Sequence, residues 1–138
     1  MALLGSSDYP AIRAAIDISL TATDLPDATI ALDLYAGAAE RWVLGRDPDA
    51  ASRTGDDALR VKEAAVCACA ALLLPALPAI RRETHGDDSY ERQVVDPEKQ
   101  AAALWGRASA AIDAYLAPDD DDGPRPTFFA LASGRRVR

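Results

Sequence analysis

The sequence is poor in the residues that build reactive centres. Among its 138 residues it has one histidine, two cysteines and few aromatics, with two Trp, four Tyr and two Phe. A single histidine cannot furnish a zinc site of the usual His and Cys donors. Cys67 and Cys69 stand two positions apart. In a helix such side chains point to different sides, so they do not readily form a disulfide with each other. They read as small apolar core residues in a reducing compartment. There is no Gly-rich phosphate loop and no strained nucleophile turn. Few aromatics and few β-branched runs leave little material for strands and argue against an all-β fold. Positive charge is in deficit as well. Twenty-two acids face 15 bases for a net −7, a surface that duplex DNA repels on average.

What is abundant is alanine, with 30 of the 138 positions. Alanine is the best helix former because its side chain loses no rotamer freedom on folding. At 49% hydrophobic the chain has ample material for a core and is not of disordered composition. The expectation is an all-α fold, a small bundle of about four helices. The first twenty residues lack a basic start and a sustained apolar core, so no signal peptide is expected.

The apolar periodicity divides the chain. Residues 8–18 predict a short amphipathic helix, with Asp8 at its N-cap, Pro10 in its first turn, and Ile12 and Ile16 at i, i+4. Residues 20–27, rich in capping residues, read as a linker closed by Pro26. A second helix is expected from Asp27 to about Leu44. Asp33, Glu40 and Arg41 lie on one side of it around Gly37, and Ile30, Leu34, Tyr35, Ala38, Trp42 and Val43 cover the rest. Gly45 is placed to end it, before the turn Asp47-Pro48-Asp49. A third helix begins near Thr54–Asp57 and runs to about Glu83. Leu59, Val66, Ala70, Leu73, Leu77 and Ile80 form its heptad-like seam. Pro75 and Pro78 should kink it near Leu74. Its seventeen uncharged residues Ala64–Ile80 are short, Ala-rich and Pro-interrupted for a membrane span. They read as a helix covered by its neighbours. A fourth helix is expected from Pro97, behind the cap Asp96, to Leu116, burying Leu104, Ala108, Ile112 and Tyr115.

Beyond Pro118 the character changes. Residues 1–118 form the helical domain and carry the whole net charge. Residues 119–138 form a separate segment that is neutral in sum but ordered as acid, then apolar, then base. Asp119, Asp120, Asp121, Asp122, Gly123 and Pro124 read as a solvated hinge. Their spacing lacks the alternating ligands, central Gly and distal Glu of a calcium loop. Thr127, Phe128, Phe129 and Leu131, followed by Arg135, Arg136 and Arg138, make an extended C-terminal arm suited to docking. Such a segment either folds back on its own domain or seats its alternate side chains in a partner's groove. The one loop dense in functional groups holds His85, Asp87, Asp88, Ser89 and Tyr90. It reads as a polar turn after a helix, with Gly86 as its left-handed residue. A metal-dependent enzyme using His85, Asp87 and Asp88 is the rival reading.

The runs Tyr9-Pro10-Ala11-Ile12-Arg13-Ala14-Ala15-Ile16, Leu20 to Ile30, and Tyr35-Ala36-Gly37-Ala38-Ala39-Glu40-Arg41 resemble head–tail connector proteins of long-tailed bacteriophages, also called adaptor or head-completion proteins. Ala79-Ile80-Arg81-Arg82-Glu83 followed by Gly86-Asp87-Asp88-Ser89-Tyr90 is similar to that family as well. The resemblance covers roughly residues 8–117. It implies a virion protein, assembled in the host cytoplasm, that forms a twelvefold ring in the neck at a capsid vertex. The ring would sit between the portal protein and a tail-side neck or tail-terminator protein. DNA would pass through its lumen without specific binding. No reaction, cofactor, metal or membrane is implied. The competing class is a cytoplasmic helical adaptor or regulator whose C-terminal tail is a linear binding motif.

Overall fold

The computed structural model describes residues 3–80 and 97–116, and every regular element among them is helical. A 3-10 turn at Ser6–Asp8 leads into α1 (Tyr9–Ile16). Then come the single turn α2 (Asp27–Ile30), a wider π turn (Asp33–Gly37) and α3 (Ala38–Arg46). A 3-10 turn at Ala50–Ser52 precedes α4 (Gly55–Leu73), which tightens at Leu74–Ala76 and is helical again over 77–80. The last element is α5 (Pro97–Leu116). The hinge and arm expected at 119–138, and the loop at 84–90, lie outside the described residues.

Side-chain pairs fix the helix directions. Arg53, just before α4, reaches the far end of α5 through Asp47 and Tyr115, while Glu63 of α4 meets Arg107 of α5 at 3.7 Å. These two helices are therefore antiparallel. On α3, Trp42 meets Trp105 and Arg46 meets Asp113, so α3 runs parallel to α5. Asp8 before α1 pairs with Lys62 of α4, and the carbonyl of Ile16, at the end of α1, accepts from Gln100 near the start of α5. Thus α1 runs alongside α4 in the same direction. The result is an up-down-up-down arrangement in which α4 is central.

That position explains the composition of α4. Every residue from Ala64 to Ala71 is buried, on all sides of the helix. A helix covered on three sides can carry no charge there, and alanine and cysteine let its neighbours approach closely. The stretch Gly55–Ile80 is long and apolar enough to cross a membrane by length and composition, and 56% of its most apolar window is buried inside the protein. Pro75 and Pro78 act as expected, the helix tightening into a 3-10 turn at Leu74–Ala76. The seam begins later than predicted. Leu59 is 69% exposed and Val61 is buried in its place. Two positions apart on a helix, these residues occupy nearly opposite faces.

The largest correction concerns the helix expected over 27–44. It is interrupted at Leu32, whose backbone is extended. The buried stripe running through the π turn and α3 is Ala36, Ala39 and Val43, but Ile30 is buried too. Six residues ahead of Ala36, Ile30 would sit about 120° away from it on a continuous helix. Breaking the chain at Leu32 lets both reach the core and leaves Leu32 and Leu34 exposed. Gly45 does not end α3. The helix continues to Arg46 and stops at Asp47, whose N–H still donates to the carbonyl of Val43 at 2.8 Å.

The fourth expected helix coincides with α5. Leu104, Ala108 and Ile112 are buried as predicted, and Tyr115 is half-buried. At the other end of the molecule, the buried guanidinium of Arg13 holds the linker. Its Nε donates to the carbonyl of Leu25 at 2.8 Å and its Nη2 to the Asp27 carboxylate.

Candidate functional site

The chain's one fully buried carboxylate among the described residues belongs to Asp47, 1% exposed. Burying a charge is costly unless it is paired and its lone pairs are filled. Four donors meet that demand. Arg53 donates through Nε to Oδ2 (3.0 Å) and through Nη2 to Oδ1 (2.9 Å), a two-pronged pair. The Tyr115 hydroxyl donates to Oδ2 at 2.6 Å and the Asp49 N–H to Oδ1 at 3.1 Å. The Arg53 guanidinium also lies over the Tyr115 ring, 5.2 Å from its centroid. The Arg53 contact, ahead of the opposing effect of burial, holds the Asp47 carboxyl at about 2, below its ordinary 3.8. Burial and the bond to Asp47 push the Tyr115 phenol upward. Both groups keep a fixed protonation state near neutrality. The cluster is a brace joining the end of α3, the start of α4 and the end of α5. It is not poised for proton transfer.

A second polar set holds the N-terminal segment. One Glu40 oxygen, Oε2, accepts from the N–H groups of both Leu3 and Leu4 at 2.7 Å each. From the other side, Lys62 Nζ donates to the carbonyl of Leu3 (2.7 Å) and to Asp8 Oδ2 (2.8 Å). The side chains of Leu3 and Leu4 are buried in the core.

A third set is at the surface. The Trp42 and Trp105 rings meet edge to face with centroids 5.2 Å apart. Arg46 stacks on Trp42 at 5.4 Å and bonds to Asp113 (2.6 Å) and Ser109 (3.4 Å). These contacts tie α3 to α5.

Cys67 and Cys69 are free and buried, as the sequence suggested. Burial raises both thiols, Cys69 to about 12 with the nearby Glu40 carboxylate adding to the effect. Neither has thiolate character. Among the described residues no group of three or more His, Cys, Asp or Glu side chains is placed to hold a metal ion. His85, Asp87 and Asp88 lie outside those residues. So do the docking residues Thr127, Phe128, Phe129, Leu131, Arg135, Arg136 and Arg138, and the hinge from Asp119 to Pro124.

What the described surface does present is aliphatic. Ile18 (90% exposed), Leu34 (65%) and Leu59 (69%) stand largely clear of the core, with Leu32 about half exposed. Leu59 was expected in the buried seam and Leu32 inside a continuous helix, whereas Leu34 belongs to the apolar cover of the second expected helix. Compared with protein-family models, with curated proteins and with solved structures, the chain has no match.

Proposed function

We propose that this chain is a structural subunit of a phage neck, a head–tail connector with no reaction and no cofactor. Copies form a twelvefold ring between the portal protein and the tail-side neck or tail-terminator protein. Residues 119–124 act as a hinge, and Thr127, Phe128, Phe129, Leu131, Arg135, Arg136 and Arg138 dock on the portal. The ring's acidic lumen passes DNA without gripping it, since like charge repels the phosphate backbone. The chain works in the virion, with no membrane involved.

The observation that carries this reading is the exposed aliphatic set Ile18, Leu32, Leu34 and Leu59 on an otherwise well-packed small helical body. Contacts between copies of the chain would cover these side chains. The sequence resemblance over residues 8–117 supports the same class. The acid-apolar-base order of the last twenty residues suits an arm that binds outside its own core.

The test is assembly with the portal protein encoded in the same genome. Light scattering and negative-stain images should give a ring on the portal with the full chain. A chain ending at Pro118 should fold and fail to attach. A full chain that stays monomeric beside the portal, with no ring, would overturn the proposal and favour a soluble adaptor.

A further inference from the structure

Between Arg13 and Arg41 the chain has no lysine or arginine, its longest stretch without one, and carries Asp17, Asp24, Asp27, Asp33 and Glu40. The two bounding arginines pair with Asp27 and Asp33, so with both counted the stretch stays acidic. It also presents Ile18, Leu32 and Leu34, each at least half exposed. Acids and aliphatics alternate there, with Asp17 directly before Ile18 and Asp33 between Leu32 and Leu34. Ile18 is held outward by a turn that the Leu20 N–H closes on the Asp17 carbonyl at 2.9 Å, between the buried Ile16 and Leu20. Arg13 of α1 fastens Leu25 and Asp27, so the linker is fixed to the body. Leu59 has different neighbours, being followed by Arg60 and Lys62.

The end of the chain has the complementary chemistry. Residues 123–138 carry Arg125, Arg135, Arg136 and Arg138, no acid, and both of the chain's phenylalanines. We propose that this arm docks on the acidic, aliphatic surface of residues 17–34 of its own chain. Phe128, Phe129 and Leu131 cover Ile18, Leu32 and Leu34, and the arginines meet the carboxylates, which the guanidinium fork suits. The arm is long enough. Gln100, near the start of α5, donates to the Ile16 carbonyl at 2.6 Å, which places Ile18 toward that end, while the chain leaves the described body at the opposite end, Leu116. The 20 residues of α5 span about 30 Å, and residues 117–127 can extend over about 36 Å. Docked there, the arm covers Leu32 and Leu34, through which copies would meet, and keeps a free subunit from associating until the portal takes its arm. That consequence rests on the connector reading, whereas the docking itself requires no portal.

The test uses the full chain without portal, with the photo-crosslinker benzoylphenylalanine in place of Phe129. Irradiated in dilute solution as a mixture of heavy and light isotopic forms, it should crosslink to residues 17–34 within single chains. Ile18→Asp with Leu34→Asp should lower the yield about fivefold or more, and so should Arg135→Glu, Arg136→Glu and Arg138→Glu together. Should the first variant not fold, the arginine set decides alone. Crosslinks to α4 or α5 instead, heavy–light crosslinks between copies, no crosslink to the body, or a yield that the substitutions leave unchanged would each overturn the proposal. Such a failure leaves the connector reading to its own test, ring formation on the portal.

Discussion

The Tyr115 hydroxyl donates to the buried Asp47 carboxylate across 2.6 Å, joining two residues 68 positions apart and fastening the last turn of α5 to the end of α3. Arg53 completes the arrangement from the start of α4. Asp47→Ala should therefore cost about 3 kcal/mol in urea unfolding. That is the lower end for breaking a buried pair, because Arg53, 29% exposed, can turn partly to water. Tyr115→Phe removes one charge-assisted bond and should cost about 1.5 kcal/mol. A loss below about 0.5 kcal/mol for Asp47→Ala would show that the cluster does not brace the bundle.

The same carboxylate gives a pH signature. Its proton affinity is lower folded (about 2) than unfolded (3.8), so its stabilisation is complete above the unfolded value and is lost as pH falls through the folded one. Wild type and Asp47→Asn should differ most in unfolding midpoint above pH 4 and converge toward pH 2. A gap independent of pH would place the effect of the substitution in packing instead.

The fold was legible where local and tertiary signals agree. For α5, Pro97 marks the first described residue of the helix, and Leu104, Ala108 and Ile112 set the buried face. All are local. For α4 the pattern gave the helix and its tightening at the prolines but misjudged Leu59, because a helix buried over eight successive residues has no single face for periodicity to find. The break at Leu32 was hidden because it answers to the core, which must take both Ile30 and the Ala36 stripe. The Asp47 brace was hidden for a related reason. Asp47-Pro48-Asp49 looks like any polar turn until Tyr115 is brought beside it.

Two glycines should respond differently to alanine. Gly55, which opens α4, has φ of +63° in open space, so the penalty there is conformational alone. Gly55→Ala should cost about 1 kcal/mol. At Gly37 the backbone is helical, and a Cβ would lie 2.1 Å from Asp33 Oδ1, the atom that receives Arg41. Asp33 must swing away and the surface pair is lost, a contact worth about 0–1 kcal/mol. Alanine recovers about as much in helix propensity. Gly37→Ala should leave the melting temperature nearly unchanged, and a clear drop would mean that the Asp33–Arg41 pair secures the π turn.

Cys67 and Cys69 should be silent to alkylating reagents in the native protein. Their thiols are buried and pushed up, Cys69 to about 12. Labelling requires the thiolate and access, which arrive together only when α4 is uncovered. Mass spectrometry should find both modified in parallel, with a denaturant dependence matching global unfolding. Rapid modification of Cys67 alone under native conditions would mean that α5 lifts from α4 without the rest of the bundle.

Leu34→Ser separates stability from assembly. At 65% exposure the side chain contributes little to the monomer, so its replacement should shift unfolding by no more than about 0.5 kcal/mol. In the ring proposed above, a contact made by Leu34 would recur at every junction. A deficit of about 1 kcal/mol per junction, the order expected for losing a largely exposed leucine's burial, is then repeated around the circle. The expected outcome is a normally folded protein that forms fewer rings with the portal, or forms them only at higher concentration. Adding Leu32→Ser should deepen the defect at a further folding cost of about 1 kcal/mol, because about half of that side chain is buried. Unchanged ring formation by the double variant would remove this surface from the subunit contact.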